Sequence, residues 1–313
     1  MKTRIKIKYD DSNSPKTVEW WKSYYDKGYY LEEIDPYHRV FNLSEGVYGL
    51  FEESADGAGD PWIYLIDGPE RAMVIDTGFG IGNLRGLIEE LIGKKELIVA
   101  VTHEHLDHCM GSSQFESVYC HMFCVPAITK NFMKPSIWDH LYDEKGKGIW
   151  LDFDKKDIIK YNSFELIPFL EGKQFDLGGG HVIEAVHTPG HAPGGASFID
   201  HRNRFLFTGA VHTNYIRIGG RPGPFGEYGK VRPFLESLYR LKEKHWNEFD
   251  RIFPAHEIID LPKTFLDDQI KACEDILANP DCYEFTAQNR RGGIVKYHGV
   301  GDAGVGYTDA AVC

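Results

Sequence analysis

The densest concentration of reactive side chains lies at Thr102–His108, THEHLDH. His103, His105, Asp107 and His108 place three imidazoles and a carboxylate within six positions, a donor set suited to divalent transition metals. In extended backbone alternate residues share a face. His103, His105 and Asp107 then point one way and His108 another, unless the chain turns there. One such loop can feed two neighbouring metal positions. The helix-borne HExxH pattern is absent, because the residue three after Glu104 is Asp107 and the second imidazole sits at 105. The alternative is a polar loop whose histidines only cap strands. A chance H-x-H-x-D-H in a chain of this composition is on the order of a few per thousand, which favours a metal site.

Further imidazoles arrive downstream. HTPGHAPGG at 187–195 supplies His187 at a strand end before a Gly-Pro turn, and PAHE supplies His256 at the end of another apolar strand. Three strand ends delivering imidazole describe a convergent site. His191 reads equally as a support behind the ligands or as a brace of its own turn. Cys120-His121-x-x-Cys124 resembles half a metal knuckle but lacks a second pair, so the cysteines read as apolar filler. Asn289-Arg290-Arg291 reads as solvated tail. Gly178-Gly179-Gly180 precedes a strand rather than a helix, so it is a turn and no phosphate cradle.

The elements that must position these groups are legible as short apolar runs. WIYLID and RAMVIDTG read as paired strands around a turn at Gly68-Pro69, and ELIVAV as a buried strand running into THEHLDH. Asn83–Leu91 predicts a helix, with Leu84, Leu87, Ile88 and Leu91 on one face. HVIEAVH, GASFID, RFLFTG and RIFPAH predict further strands; PFLESLYRLKEK and FLDDQIKACEDIL predict helices. Two blocks of strands, the second ending in a helix and a strand, indicate a mixed sheet layered with helices. We expect an aromatic-rich extension over 1–45, a main domain over 46–260 and a helix and tail over 261–313. Within the main domain, 119–175 is expected to form a lid over the cleft, with Trp138, Tyr142 and Trp150 as its aromatic wall.

The chain has 313 residues and a net charge of −12, which offers no basic surface for nucleic acid. Six irregularly spaced cysteines read as reduced thiols of a cytoplasmic protein. No run of eighteen apolar residues and no signal-like amino terminus is present in the sequence, so no membrane partner is expected.

The order WIYLIDG, VIDTG, THEHLDH, HTPGH, FTG and PAH resembles the metallo-beta-lactamase-fold hydrolases, including their lactonase and glyoxalase II-like members, from about Gly46 to Ile259. The resemblance implies an α/β fold, a four-layer αββα sandwich with metals at one edge between two sheets. Carried over residue by residue, it implies that His103, His105 and His187 bind one metal and that Asp107, His108 and His256 bind a second. Asp76 of VIDTG would support the loop from behind. Two divalent ions, zinc first with iron or manganese as alternatives, would then present hydroxide to a small lactone, ester or thioester. Asp107 would orient that hydroxide and carry a proton to the leaving group, and Tyr215 is a candidate phenol beside the carbonyl oxygen.

One position departs from the pattern. Where the family has an Asp bridging both metals, this chain has Ala210, whose methyl group ligates nothing. Either the chain natively lacks the bridge or the residue has been replaced to stop turnover, and the survival of all six other ligands favours replacement. Two readings stand beside hydrolysis: a mononuclear iron persulfide dioxygenase, and a non-catalytic binding protein if Ala210 is native. A flavodiiron-type redox site would replace the second histidine by an acid, so His105 argues against it.

Overall fold

The computed structural model describes residues 15–57, 59–209, 211, 214–220, 222–289 and 292–312. Eight strands follow one another across the first sheet: β1 (Tyr29–Leu31), β2 (Asp35–Ser44), β3 (Val47–Glu52), β4 (Trp62–Asp67), β5 (Arg71–Ile75), β6 (Glu96–Ala100), β7 (Ser117–His121) and β8 (Glu165–Phe169). Pairing is antiparallel as far as β5 and parallel from β5 to β8. The second sheet contains β9 (Gln174–Asp176), β10 (Val182–His187), β11 (Ala196–Asp200), β12 (Phe205–Thr208), β14 (Arg251–Pro254) and β15 (Leu261–Pro262), in the order β15-β14-β12-β11-β10-β9. A third sheet sets β13 (Asn214–Ile218) beside β18 (Ala303–Tyr307), β17 (Ile294–Val300) and β16 (Phe285–Gln288).

Side-chain alternation explains the layering. Along β4, Trp62, Tyr64 and Ile66 point inward to meet Phe198, Phe207 and Phe253 of the second sheet, while Ile63 and Leu65 point outward. The outward face is covered by Leu84, Leu87 and Ile88 of α2 (Leu84–Ile92) and by Ile128 of α4 (Val125–Asn131). The far face of the second sheet, through Val186, Ile199, Leu206 and Ile252, is covered by Phe234, Leu238 and Leu241 of α5 (Val231–His245) and by Leu266 and Ile270 of α6 (Phe265–Ala278). The layers are therefore helix, sheet, sheet, helix, the αββα sandwich. Each fully buried Leu, Ile or Phe in these layers contributes roughly 1.5–3 kcal/mol relative to an exposed one. The expected helices form where their apolar spacing places them, and Asn83 caps α2 by accepting the Gly86 N–H at 3.0 Å. Among the described residues no helix is long and apolar enough to cross a membrane.

Three expectations need revision. The segment before residue 46 includes β1 and β2, the edge strand of the first sheet and its neighbour, besides α1 (Pro15–Tyr24), whose Trp21 packs on Phe51 and Trp62. The tail after 261 supplies three of the four strands of the third sheet, which packs against the C-terminal helical layer. The segment 119–175 is no simple lid. Its ends lie in β7, β8 and β9, and Phe132, Ile137, Trp138, Leu141, Leu151 and Phe153 bury themselves in the outer helical layer. Six apolar side chains, three of them aromatic, stabilise more by completing a core than by lining a cleft.

The first sheet also buries an ionic array. Asp35, His38 and Glu52 are each 0% exposed. Burial alone would lower the His38 pKa, but Asp35 and then Glu52 raise it to about 10. The folded value is above the ordinary 6.5, so the stabilisation is fully present below pH 6.5 and is lost as pH rises through about 10. Chemical denaturation of the wild-type protein and His38→Gln, followed across that window, should show their stability difference shrinking as pH rises. A difference that stays constant would show that His38 is buried uncharged.

Candidate metal centre

The site lies where strands of both sheets end. β5 closes at Ile75 and delivers Asp76, whose backbone is left-handed at φ 67°. β6 closes at Ala100 and runs through Thr102 to His103. The chain then turns into the short helix α3 (Leu106–Cys109), with His105 as its N-cap. That turn breaks the strand-like alternation, so His103 and His105 face one point while Asp107 and His108 face another. His256 follows β14, and His191 follows the reversal after β10.

Two triads result. His105 Nδ1 lies 3.0 Å from His103 Nε2 and 2.9 Å from His191 Nε2. His108 Nε2 lies 3.1 Å from His256 Nε2 and 3.3 Å from Asp107 Oδ2, and Asp107 Oδ2 lies 3.2 Å from His256 Nε2. Within each triad the ligand atoms all lie within 4.8 Å of one another, a spacing that could hold one ion. Lone pairs brought this close repel one another unless a cation or a proton sits between them.

The groups behind the ligands match the same purpose. His108 Nδ1 donates to Asp76 Oδ2 at 2.7 Å, and His103 Nδ1 donates to Thr102 Oγ1 at 3.0 Å. The Thr102 hydroxyl in turn donates to Asp76 Oδ2 at 2.9 Å. His191 Nδ1 donates to the Arg217 carbonyl at 2.6 Å, and His256 Nδ1 to the Asp60 carbonyl at 3.0 Å. Four imidazoles thus carry the proton on the outer nitrogen and turn an unprotonated Nε2 inward, the arrangement that frees that atom for a metal.

Electrostatics divides the triads. Burial first, then the surrounding imidazoles, hold His103 and His191 well below the ordinary histidine pKa, so these two rings are neutral at physiological pH and keep an unprotonated nitrogen for a cation. In the second, burial would raise the Asp107 pKa, but His108 and then His256 hold it well below the carboxylate range. Burial would likewise lower His108, yet Asp107 and Asp76 raise it to about 10. This triad selects positive charge, whether a proton or a metal ion.

His187, expected as a ligand, lies elsewhere. It is still in the ladder, paired with Ala196, and its Nε2 donates to the Pro193 carbonyl at 2.8 Å. Its ring stacks on His121 with centroids 4.1 Å apart. The chain must first reverse through Thr188-Pro189-Gly190, with Gly190 at φ 134°, before an imidazole can face His105, and His191 is the residue that does so. His187 instead braces the loop that carries His191. Tyr215 packs its ring edge-on to Phe285 at 5.4 Å and to Tyr297 at 5.2 Å, in the third sheet rather than among the imidazoles. Ala210 lies outside the described residues, as do Arg290 and Arg291.

Of the expected aromatic wall, the Trp138 indole donates to the Phe79 carbonyl inside the core, and the Tyr142 hydroxyl donates to Asp139. Trp150 lies against Gly57, in the loop whose Asp60 holds His256. Cys120 and Cys124 are buried, as filler should be. Sequence reasoning missed the Asp60 and Arg217 carbonyls, since main-chain acceptors have no residue-type signature. It also missed Thr102, although a hydroxyl immediately before His103 was visible.

Comparison with known proteins agrees with this geometry. The metallo-beta-lactamase superfamily profile matches residues 56–254. The acyl-coenzyme A thioesterase MBLAC2 of Homo sapiens is 25% identical over 243 residues, covering 69% of this chain and 79% of the relative. The hydroxyacylglutathione hydrolase GloC of Haemophilus influenzae is 29% identical over 152 residues, covering 46% of this chain and 63% of that protein. Among solved structures, a metallo-beta-lactamase from Pontibacter korlensis superposes with a TM-score of 0.56 at 14% identity, covering 76% of this chain and 99% of the other. The family match spans well over half of the chain and contains both His103–His108 and His191, and the superposition reproduces the sandwich that carries them. The chain belongs to the metallo-beta-lactamase superfamily.

Proposed function

We propose that the chain is a metal-dependent hydrolase of small acyl compounds, with thioesters ahead of esters and lactones. The observation that carries this reading is the pair of triads, His103/His105/His191 and Asp107/His108/His256, with the outer nitrogens of four imidazoles held by oxygen. Relatives named for acyl-coenzyme A thioester and hydroxyacylglutathione hydrolysis put thioesters first.

Divalent ions held by these residues, zinc first, would activate water near neutral pH and polarise a carbonyl. The rest falls to the chain. The first triad offers three nitrogen donors, His103 and His191 without adding charge, and Asp107 is the carboxylate within the two triads. In hydrolysis, water adds its oxygen to the acyl carbon, the C–S bond breaks, and the thiolate takes up a proton. Asp107, ionised at the start, orients the water and accepts the proton that the water loses as its oxygen adds, and that proton ends on the departing sulfur. No serine or cysteine nucleophile is needed, and burial pushes the Cys109 and Cys124 thiols well above their ordinary values, which keeps them unreactive.

The structural reassignment is directly testable. His191→Ala should lower divalent-metal content by about one ion per chain and reduce hydrolysis by at least about a hundredfold, at the upper end of metal-shell effects. His187→Ala should retain its metal. Metal analysis of the purified proteins decides between them, and the reverse pattern would restore His187 as the ligand.

A panel of acyl thioesters, lactones and amides, read by thiol release or acid production, tests the reaction class. Thioester cleavage that a chelator abolishes and zinc restores is the expected result. Oxygen consumption with a persulfide by the iron-loaded protein, without hydrolysis, would favour the dioxygenase reading. Ala210→Asp adds the carboxylate that the family places between the metals. It should raise metal content toward two per chain and the hydrolytic rate by at least about a hundredfold. Equal rates in both proteins would make Ala210 native to a different site.

A further inference from the structure

Three ionisable side chains lie buried beneath the loop that follows β5. Asp35 and His38 come from β2 and Glu52 from the end of β3. Asp35 Oδ2 receives His38 Nδ1–H at 3.0 Å, and Oδ1 accepts the Tyr37 and His38 amides at 2.8 and 3.0 Å. His38 Nε2 faces Glu52 Oε2 at 3.7 Å. Buried ionic groups of this kind add little net stability compared with apolar packing, and their best-attested use is to specify a geometry.

Both ends of the array reach the same loop. Asp35 Oδ2 accepts the Asn83 N–H at 2.7 Å, and Glu52 Oε2 accepts the Phe79 N–H at 2.8 Å. The loop's glycines fit these carboxylates. Gly78 and Gly82 are left-handed at φ 63° and 82°. A Cβ on Gly78 would overlap Glu52 Oε2, and one on Gly82 would come 2.8 Å from Asp35 Oδ2.

The other end of this loop grips the second triad. The Thr77 amide and hydroxyl both donate to the His108 carbonyl at 2.9 Å, and the Gly111 N–H donates to the Gly78 carbonyl at 3.1 Å. Asp76 holds the His108 ring itself.

We propose that Asp35, His38 and Glu52 form a positioning unit for the second metal position, setting through the 76–83 loop how His108 meets Asp107 and His256. The proposal rests on the metal reading of that triad. These residues touch neither substrate nor metal ligand directly, so their effect should be selective for one ion.

Cobalt titration followed by visible absorption, alongside thermal unfolding, tests this on the wild-type chain, Glu52→Ala and Glu52→Gln. Glu52→Ala should weaken the second cobalt step by about 10- to 100-fold, the range for groups behind metal ligands, and leave the first within about twofold. Glu52→Gln, which keeps an acceptor for the Phe79 N–H, should recover part of the loss. In metal-free protein, the downfield imidazole proton that His108 Nδ1 shares with Asp76 should shift or broaden in Glu52→Ala. Folded variants with both cobalt steps and the His108 proton unchanged overturn the proposal. So does a Glu52→Gln protein that cannot fold, because the array would then serve stability alone. A wild-type chain that takes up no cobalt overturns the metal reading, and this proposal with it.

Discussion

The Asp76 carboxylate is the fixed point of the molecule. It accepts the Thr102 amide at 2.6 Å and the Thr102 hydroxyl at 2.9 Å, and it receives the His108 imidazole at 2.7 Å. Through Thr102 it also governs the outer nitrogen of His103, so one buried side chain orients a member of each triad. The cost is a non-glycine residue in left-handed backbone, of order 1–3 kcal/mol. The surroundings can sustain it: the Asp76 amide donates to the Ala100 carbonyl at 2.8 Å, joining the ends of β5 and β6. The relative placement of His103 and His108, one from each triad, therefore depends on the backbone at Asp76.

The second sheet must be held in register with that point, or His191 and His256 would drift from their partners. Two backbone bonds do this at the site end. The Ala196 N–H donates to the Thr102 carbonyl at 2.8 Å, and the Trp62 N–H donates to the Ala255 carbonyl at 2.8 Å. The Tyr64 hydroxyl adds a bond to the Pro254 carbonyl one residue away. Beneath them the interlocked rings of Trp62, Tyr64, Phe207 and Phe253 leave little freedom to slide. Ligands carried on loops thus acquire the rigidity of strands.

Much of this was legible in the chain because period and punctuation act locally. WIYLID is apolar on both faces and lies between two layers; Asn83 starts a helix because its side chain caps one. Five of the six members of the triads follow from residue type and spacing. The choice between His187 and His191 depends on where a strand stops pairing and its chain reverses, a non-local matter that HTPGH alone does not express. Trp138 misled for a related reason: an aromatic ring in an irregular segment has the same signature whether it faces a cleft or a core. Asp35, His38 and Glu52 were invisible because each is an ordinary polar residue in a strand. Only the pairing of His38 with Glu52 across β2 and β3 brings them together.

The family match begins at residue 56, after β1, β2 and β3 have already formed one side of the first sheet. It ends at 254, before α6 and the strands that follow it have covered α5. Five of the six donors lie inside the match and His256 stands two residues past its end, whereas the stretch that folds extends well beyond it on both sides. An ancestor could exchange what flanks the chemistry only by supplying another way to close the same sheet and shield the same helix. Loss of either flank would leave apolar faces of the first sheet and of the C-terminal helical layer without cover, even with five of the six donors untouched.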